Sequence, residues 1–217
     1  MTPSDLPPLT APAVVTIDLH RGHLDPEVAT LPLPAPAAAA LTARVVPMLA
    51  GFRARGVPVI HLVTAYRDRA EILSNPYWAL QSGRAGSTRA AIAEHNLEGM
   101  PGLELMPGVL AEGDVVIDTK KRYDCFVGTD LEFVLRAMGR RTLLVMGVNT
   151  NSCVLATSIA ASVRDFAVVV LEDAVDSMMG ERAHVAALAL LAGSFAVVAP
   201  ASEVFDAMAR GGAGVAA

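Results

Sequence analysis

Six short apolar runs, separated along most of the chain by helical patterns, constrain the fold of this sequence more than any other feature. Apolar runs of this length are typical of strands buried on both faces, and strands that alternate with helices form right-handed βαβ units. The alternation predicts an α/β protein with a three-layer Rossmann-like fold, in which helices flank a mostly parallel sheet of roughly six strands. The predicted strands cover residues 13–18, 57–64, 114–117, 142–148, 167–171 and 195–199, and the predicted helices cover residues 37–55, 129–138, 154–163, 181–191 and 202–209.

The composition fits a sheet covered on both faces and argues against several classes of protein. Apolar residues make up 53% of the 217 residues, and only 18% are charged. The net charge of −5 offers no basic surface, so no nucleic-acid partner is expected. The longest apolar stretch, residues 185–199, is broken by Gly193 and Ser194, and no membrane contact is expected. Two cysteines are too few for a disulfide framework, and the N-terminus has no signal-peptide pattern, so we expect a cytoplasmic protein.

The length predicts one domain over residues 1–217. Residues 65–110 interrupt the strand–helix alternation with five glycines and three prolines. We expect a loop-rich insertion there, with at most a short helix near Ala90, and long loops in compact domains are often functional. Residues 211–217 are rich in glycine and alanine, and we expect a flexible tail.

Three residues with catalytic chemistry follow or end predicted strands. Asp18 closes the first strand, Lys120 follows the third, and Cys153 stands at the start of the helix after the fourth. The carboxyl ends of parallel strands share one edge of the sheet, where ligands bind, so these three side chains can converge. We expect the helix N-terminus to lower the pKa of the thiol. Asp18 would then act as general base, Lys120 would stabilise charge, and Cys153 would attack a carbonyl.

An oxyanion formed by that attack needs backbone N–H donors held in place before the reaction. The N–H groups of Cys153 and of Asn149, in the turn before it, are the expected oxyanion hole. Cys125 is interpreted as a core or pocket-wall residue and not as a second nucleophile.

The order of these motifs resembles the isochorismatase-like cysteine hydrolase superfamily, which includes nicotinamidases, N-carbamoylsarcosine amidohydrolase and biuret hydrolases. The resemblance rests on Val15-Thr-Ile-Asp18, on the segment from Lys120 to Leu131, and on Gly147-Val-Asn-Thr-Asn-Ser-Cys153 with Asp173 downstream. It implies a catalytic triad of Asp18, Lys120 and Cys153, and a cis peptide bond between Val148 and Asn149. Lys121 is adjacent, but counting back from Phe126 in the family pattern favours Lys120.

The resemblance implies an enzyme that acts on carbon–nitrogen bonds other than peptide bonds. We expect a cysteine-dependent amidohydrolase that cleaves a small amide or ureide through a thioester and releases ammonia or an amine. Family members are commonly homodimers or homotetramers, and we expect the same here. Two alternatives stay open: an isochorismatase-type hydrolase of a vinyl ether, and a binding protein that keeps the fold without chemistry. An intact triad argues against both.

The chain departs from the family pattern at places that affect the substrate pocket and a metal site. His20 stands where many members have glutamine, and Asp124-Cys125 replaces a pair of small residues. The Asp-x-His metal signature of some nicotinamidases is missing, because residues 64–68 read Thr-Ala-Tyr-Arg-Asp. His20, His23 and Asp25 lie close in sequence, but two histidines without a third clear ligand usually form a hydrogen-bonded loop. We therefore expect no metal and no cofactor.

The residues that bind the substrate are harder to infer than those of the triad. His20, Trp78, Tyr123, Phe126 and Asn151 are the candidates, since each stands near a catalytic motif or in the insertion. Each of them has a plain packing role as the competing interpretation. Arg67 and Arg122 could also receive a substrate carboxylate with two hydrogen bonds, although surface arginines are common.

Overall fold

The sheet has six strands, and every neighbouring pair is parallel. The computed structural model describes residues 6–210. The strand order is β3-β2-β1-β4-β5-β6, which confirms the prediction of a mostly parallel, roughly six-stranded sheet. The strands are β1 Pro12–Ile17, β2 Val59–Thr64, β3 Val115–Lys120, β4 Thr142–Val148, β5 Ala167–Asp176 and β6 Val197–Ala199.

Helices cover both faces of the sheet, as the fold class requires. Alternate residues of each strand point to opposite faces. Val14 of β1 packs in the cluster that contains α2 and α8 residues, and its neighbour Val15 packs in the cluster with residues of α5, α6 and α7. The helices are α1 Arg21–Leu24, α2 Ala35–Arg53, α3 Arg69–Leu73, α4 Pro76–Gln81, α5 Leu131–Ala137, α6 Leu155–Ser162, α7 Glu181–Ser194 and α8 Ala201–Arg210.

Helix α2 is, by length and composition alone, apolar enough to cross a membrane, with 19 residues and a mean hydropathy of 1.4. One of its faces, which carries Leu41, Val45, Leu49 and Phe52, is fully buried in the cluster against β1 and β5. This packing explains the apolar composition of α2 by its place in the core.

The insertion contains more helix than the sequence analysis expected. The expectation of at most a short helix near Ala90 is wrong, because α3 and α4 lie earlier and two 3₁₀ turns, Ile92–Glu94 and Pro101–Leu103, follow Ala90. Each of the two helices begins at a side chain that caps its N-terminus: Asp68 accepts from the Glu71 N–H, and Asn75 accepts from the N–H groups of the first turn of α4. Both caps are polar residues that commonly start helices.

The insertion also builds a small core of its own. Tyr66, Ile72, Trp78 and Ile92 are buried together with Leu31, which comes from the segment after α1. This third cluster holds the insertion over the carboxyl edge of the sheet, so its path follows from packing and not from turn residues alone.

Three strand ends near the site differ from the prediction. Strand β1 ends at Ile17, so Asp18 follows it, while β3 continues to Lys120 and β5 runs on to Asp176 instead of ending at residue 171. The expected flexible tail, residues 211–217, lies outside the described residues.

Candidate active site

Four adjacent strands each bring one polar side chain to the same point on the carboxyl edge of the sheet. Lys120 ends β3, Thr64 ends β2, Asp18 follows β1, and Cys153 follows β4 after a short turn. Strands β1 and β4 are neighbours from which the chain proceeds in opposite directions across the sheet, and such switch points form ligand clefts in α/β folds. The side chains expected to be catalytic therefore converge through strand order.

Asp18 is held by hydrogen bonds from two neighbouring strands. Its Oδ1 accepts from the Thr64 backbone N–H at 2.9 Å and from the Thr64 hydroxyl at 2.8 Å, while its Oδ2 accepts from Lys120 Nζ at 2.7 Å. Lys120 Nζ also donates to Thr64 Oγ1. Thr64 thus fixes both charged partners, because its strand lies between theirs.

Lys120 connects the carboxylate to the thiol. Its Nζ lies 3.3 Å from Cys153 Sγ, within hydrogen-bond distance for sulfur. The Asp18 and Lys120 side chains are each only 1% exposed, and Cys153 is 6% exposed. An ion pair this deeply buried is stable only when its members are paired with each other, as they are here.

Asp18 and Lys120 are both strongly stabilised in their charged forms. Burial would raise the pKa of Asp18, but the adjacent Lys120 ammonium and the His20 ring hold that pKa well below its usual value. Burial would likewise lower the pKa of Lys120, but Asp18 and Cys153 raise it well above its usual value. The site therefore holds a carboxylate and an ammonium over the ordinary pH range.

The expectation of a low thiol pKa is wrong. Burial raises the pKa of Cys153 to about 11, and the Lys120 ammonium offsets this only in part because the Asp18 carboxylate raises the pKa again. Cys153 is consequently a thiol at neutral pH. Its proton has a nearby acceptor in Asp18, so activation of the sulfur requires proton transfer and not a preformed thiolate.

The turn before the thiol has an unusual shape. The Val148–Asn149 peptide bond is cis, which confirms the implication of the family resemblance. Thr150–Val154 then form a single wide turn, closed by a bond from the Val154 N–H to the Asn149 carbonyl, before α6 begins at Leu155. The predicted helix starting at residue 154 is therefore preceded by a π-helical turn that carries Cys153.

A cavity opens above these groups, and the insertion forms much of its wall. Asp18, Thr64, Lys120 and Cys153 lie along it together with Asn149 and Ser152. The remaining lining residues come from the loop after β1, the insertion and the loops after β3 and β5: His23, Leu31, Tyr66, Trp78, Arg89, Ile92, His95, Arg122, Tyr123 and Met178.

Two of the five candidate substrate-binding residues line this cavity. Trp78 is 2% exposed, and its Nε1 donates to the Tyr123 hydroxyl at 2.7 Å. The rings of Trp78 and Tyr123 meet edge to face, with centroids 5.3 Å apart. These aromatic side chains form a rigid wall of the cavity.

The other three candidates do not line the cavity. Phe126 packs in the core with its ring centroid 6.1 Å from that of Phe166. The Asn151 side chain points away to Ser177, whose hydroxyl it accepts at 2.7 Å. His20 is fully buried behind Asp18, with its Nε2 at 3.5 Å from Asp18 Oδ1. In each case the local turn directs the side chain into packing or hydrogen bonding inside the protein.

Arg89 is a lining residue that the sequence analysis missed. It is 9% exposed, and its Nε donates to the Tyr123 hydroxyl at 2.9 Å. Within residues 6–210 its guanidinium forms no ion pair with a carboxylate, and the only other hydrogen-bond acceptor that the guanidinium contacts is Met179 Sδ at 3.9 Å. Of the two arginines that the sequence suggested, Arg67 pairs with Glu71 and does not line the cavity. Arg122 lines the cavity and donates to the Lys121 carbonyl and the Ser74 hydroxyl.

Three buried histidines lie beside the candidate catalytic groups. His20 and His23 follow β1, and His95 comes from the insertion; their side chains stack or tilt against one another. Asp25, the third residue of the grouping considered from sequence, instead pairs with Arg21 at 2.7 Å. His95 could not be associated with the other two from sequence, since a long insertion separates them.

Comparison with known proteins agrees with this architecture. Residues 12–203 match the family model of the isochorismatase domain. The chain belongs to the isochorismatase family. Maleamate amidohydrolase from Pseudomonas putida is 26% identical over 164 residues, which are 76% of this chain and 71% of that protein.

Two further known proteins are similar to this chain. Ureidoacrylate amidohydrolase RutB from Methylobacterium radiotolerans is 32% identical over 154 residues, 68% of this chain and 59% of that protein, so the matched segment spans less than two thirds of that relative. The crystal structure of N-carbamoylsarcosine amidase from Thermoplasma acidophilum has a TM-score of 0.68 at 26% identity, and covers 88% of this chain and 96% of that one.

Proposed function

We propose that this protein is a cysteine-dependent amidohydrolase that cleaves the carbon–nitrogen bond of a small amide or ureide. The observation that supports this most directly is the position of Lys120 Nζ, 2.7 Å from Asp18 Oδ2 and 3.3 Å from Cys153 Sγ, at the wall of a cavity. A nucleophile, an acceptor for its proton and a fixed cation are the groups that acyl transfer needs. The named relatives are amidohydrolases or an amidase.

The proposed reaction begins with a neutral thiol. Cys153 transfers its proton to Asp18 as Sγ attacks the substrate carbonyl, and the Lys120 ammonium stabilises the charge that develops. The backbone N–H groups of Asn149 and Cys153 donate to the oxyanion. The tetrahedral intermediate collapses, the carbon–nitrogen bond breaks, and the amine leaves with the proton from Asp18.

The thioester that remains is hydrolysed by water. Asp18, again a carboxylate, takes a proton from the water as its oxygen attacks the thioester carbonyl. Collapse of the second intermediate breaks the carbon–sulfur bond, releases the carboxylic acid and returns the proton to Cys153 Sγ. The cycle restores the thiol and the carboxylate, so the chemistry balances with the chain's own residues and one water.

Arg89 supports a narrower substrate class: amides or ureides that also carry a carboxylate. A guanidinium that is nine-tenths buried, without a carboxylate partner among residues 6–210, lies on the wall of the same cavity as the thiol. Arginine binds carboxylates with two parallel hydrogen bonds, and burial strengthens them. The names of both sequence relatives, maleamate and ureidoacrylate amidohydrolase, denote substrates that are carboxylates.

The proposal is tested by ammonia release from a panel of small amides and ureides, with and without a carboxylate, by the wild type and by Cys153→Ala and Cys153→Ser. We expect both variants to lose turnover by several orders of magnitude, on the order of the effect of removing a catalytic nucleophile. Cys125→Ala is the matched control and should keep its activity, since Cys125 is buried in the core and does not line the cavity. Wild-type turnover by Cys153→Ala would rule out the thioester mechanism.

The same assay, extended to a vinyl ether substrate, distinguishes the amidohydrolase from the two alternative functions. Hydrolysis of a vinyl ether that survives in Cys153→Ala would favour an isochorismatase-type reaction. Binding of a carboxylate amide without turnover by the wild type would favour a binding protein.

We further propose that the chain is a single domain that forms homodimers or homotetramers in a reducing cytoplasm. The support is that the family match spans residues 12–203 and that both cysteines are free thiols. Light scattering of the purified protein measures the assembly directly.

A further inference from the structure

Three histidines form a compact group next to the proposed catalytic carboxylate. One ring nitrogen each from His20, His23 and His95 lie within 4.8 Å of one another. The ring centroids are 4.6 to 5.7 Å apart, and the three side chains are buried. Imidazole rings in such a group bring several nitrogen lone pairs to one point.

His23 and His95 each have one ring nitrogen held by a hydrogen bond, which leaves the other ring nitrogen without a protein partner among the described residues. His23 Nδ1 donates to the Leu31 carbonyl at 2.6 Å, and because a carbonyl only accepts, the lone pair of a neutral His23 lies on Nε2. His95 Nδ1 lies 2.8 Å from the Thr30 hydroxyl. Histidines that bind metals usually have their second nitrogen fixed by a carbonyl or a polar side chain in this way.

The third ring has a buried nitrogen without a partner. His20 Nδ1 makes no hydrogen bond within residues 6–210, and the residue is fully buried. The other nitrogen of the ring, Nε2, accepts from Asn96 Nδ2 at 2.9 Å and lies 3.5 Å from Asp18 Oδ1, so the neutral ring carries its proton on Nδ1. Buried polar atoms without a partner are rare in folded proteins, and a bound ion is one explanation for them.

We propose that His20, His23 and His95 bind a divalent transition-metal ion of the zinc class, through the ring nitrogen that each leaves without a protein partner. Three histidines with a fourth, open position form a known type of zinc coordination. Zinc–nitrogen bonds of about 2.0–2.1 Å require the three nitrogens to approach to about 3.4 Å of one another, a movement of the rings of about 1 Å.

This site is different from the metal signature of some nicotinamidases. That signature would follow β2, where this chain has Thr64-Ala65-Tyr66-Arg67-Asp68. The proposed ligands come from the segment after β1 and from the insertion.

The three histidines place the proposed metal next to the cavity and close to Asp18. His23 and His95 line the cavity that contains Cys153, so the open coordination position faces the space where a substrate would bind. Metal binding at His20 Nδ1 moves the ring proton to Nε2, 3.5 Å from Asp18 Oδ1, and requires the Asn96 amide to turn away from Nε2. The result is a carboxylate–histidine–metal arrangement, a common way to orient a ligating ring.

The test measures metal binding and not activity. Protein freed of any affinity tag and of metal by a chelator is titrated with Zn²⁺ by calorimetry and with Co²⁺ by visible absorption. We expect about one equivalent per chain, as one three-histidine site requires, with the intense absorption of a low-coordinate Co²⁺. Zn²⁺ should also raise the Tm of the wild type, because an ion that binds the folded state stabilises it.

Variants assign the binding to these residues. His95→Ala and His23→Ala should abolish binding, and Thr30→Val, which removes only the partner of His95, should weaken it about 10- to 100-fold. His184→Ala is the matched control, since His184 bonds to Thr150 and lies outside the group; it should bind as the wild type does. Circular dichroism verifies that each variant is folded. If a histidine variant does not fold, Thr30→Val still tests the site, because it retains all three ligands. Absence of binding by the wild type, or equal loss in His184→Ala, would overturn the proposal.

Discussion

Lys120 Nζ lies 2.7 Å from Asp18 Oδ2, and each of these two oppositely charged side chains is 1% exposed. The two residues are distant in sequence and come together because β3 and β1 flank β2 in the sheet. Neither charge has access to bulk water, so each depends on the other. This mutual dependence makes the pair a structural element as well as a candidate catalytic one.

The pair predicts a large loss of stability when the cation alone is removed. Lys120→Met should lower the free energy of unfolding by about 3–5 kcal/mol, because it leaves a buried carboxylate without a partner. Lys121→Met is the control: Lys121 is partly exposed and pairs with Glu71 at 3.3 Å, so its loss should cost at most about 1 kcal/mol. Urea unfolding measures both. Adding Asp18→Asn to Lys120→Met should recover much of the loss, and equal effects of the two single lysine variants would contradict this account.

The thiol predicts an alkaline pH profile for alkylation of the free enzyme. With a pKa raised by burial from 9.0 to about 11, Cys153 should react slowly with iodoacetamide at pH 7, and the rate should rise as the pH approaches 11. Since folding raises this pKa, the thiol contributes stability in full below pH 9 and loses it as the pH rises through about 11. Alkylation of the Cys153→Ser variant measures any reaction of the buried Cys125, which is then the remaining cysteine. Fast alkylation of the wild type at neutral pH would show that the thiol is already ionised.

Arg89 predicts a selective loss of activity toward carboxylate substrates. Arg89→Gln removes a charged hydrogen-bond donor, which is worth about 1.5–3 kcal/mol, and should lower kcat/KM for a carboxylate amide about 10- to 100-fold. Neutral amides of similar size should be affected much less. Arg84→Gln, an exposed arginine of the same insertion that does not line the cavity, is the matched control. Steady-state kinetics on paired substrates decide the question; an equal loss on neutral amides would mean that Arg89 only supports the wall.

Adding a single methyl group at Gly147 should strongly lower the stability of the protein. The φ of Gly147 is +118°, and a Cβ at this position would lie 2.0 Å from the Ile17 carbonyl oxygen. Gly147→Ala should destabilise the protein by on the order of 2–5 kcal/mol, from overpacking and from a positive φ. Gly193→Ala, in α7 with no atom within 4 Å of its Cβ, should change stability by less than about 1 kcal/mol, in the favourable direction. Thermal unfolding of the pair compares them, and similar Tm values would refute the close approach of β1 and β4.

Residues with catalytic chemistry could be placed from the sequence where they coincide with a strand end. Asp18, Lys120 and Cys153 were predicted to converge because parallel strands share a carboxyl edge, and the geometry brings them together. Thr64 also ends a strand and could have been included by the same argument. The prediction failed for His20, Phe126 and Asn151, whose side chains turn away from the cavity.

The pKa of Cys153 could not be predicted from the sequence, for a different reason. A helix N-terminus and a nearby lysine both favour a thiolate, and both can be inferred from sequence. Burial acts in the opposite direction and is larger. Its extent depends on the insertion that covers the site, whose path cannot be obtained from its loop-rich sequence.

The sequence by itself determined the six strands, their alternation with helices and the three polar residues at their ends, because apolar runs and helical patterns are local properties of the chain. Only the tertiary structure decided which side chains enclose the site: Arg89 and His95 are brought there by the small core around Trp78. The physical reason is that such contacts join residues far apart in sequence, and their geometry is set by the packing of the whole insertion against the sheet.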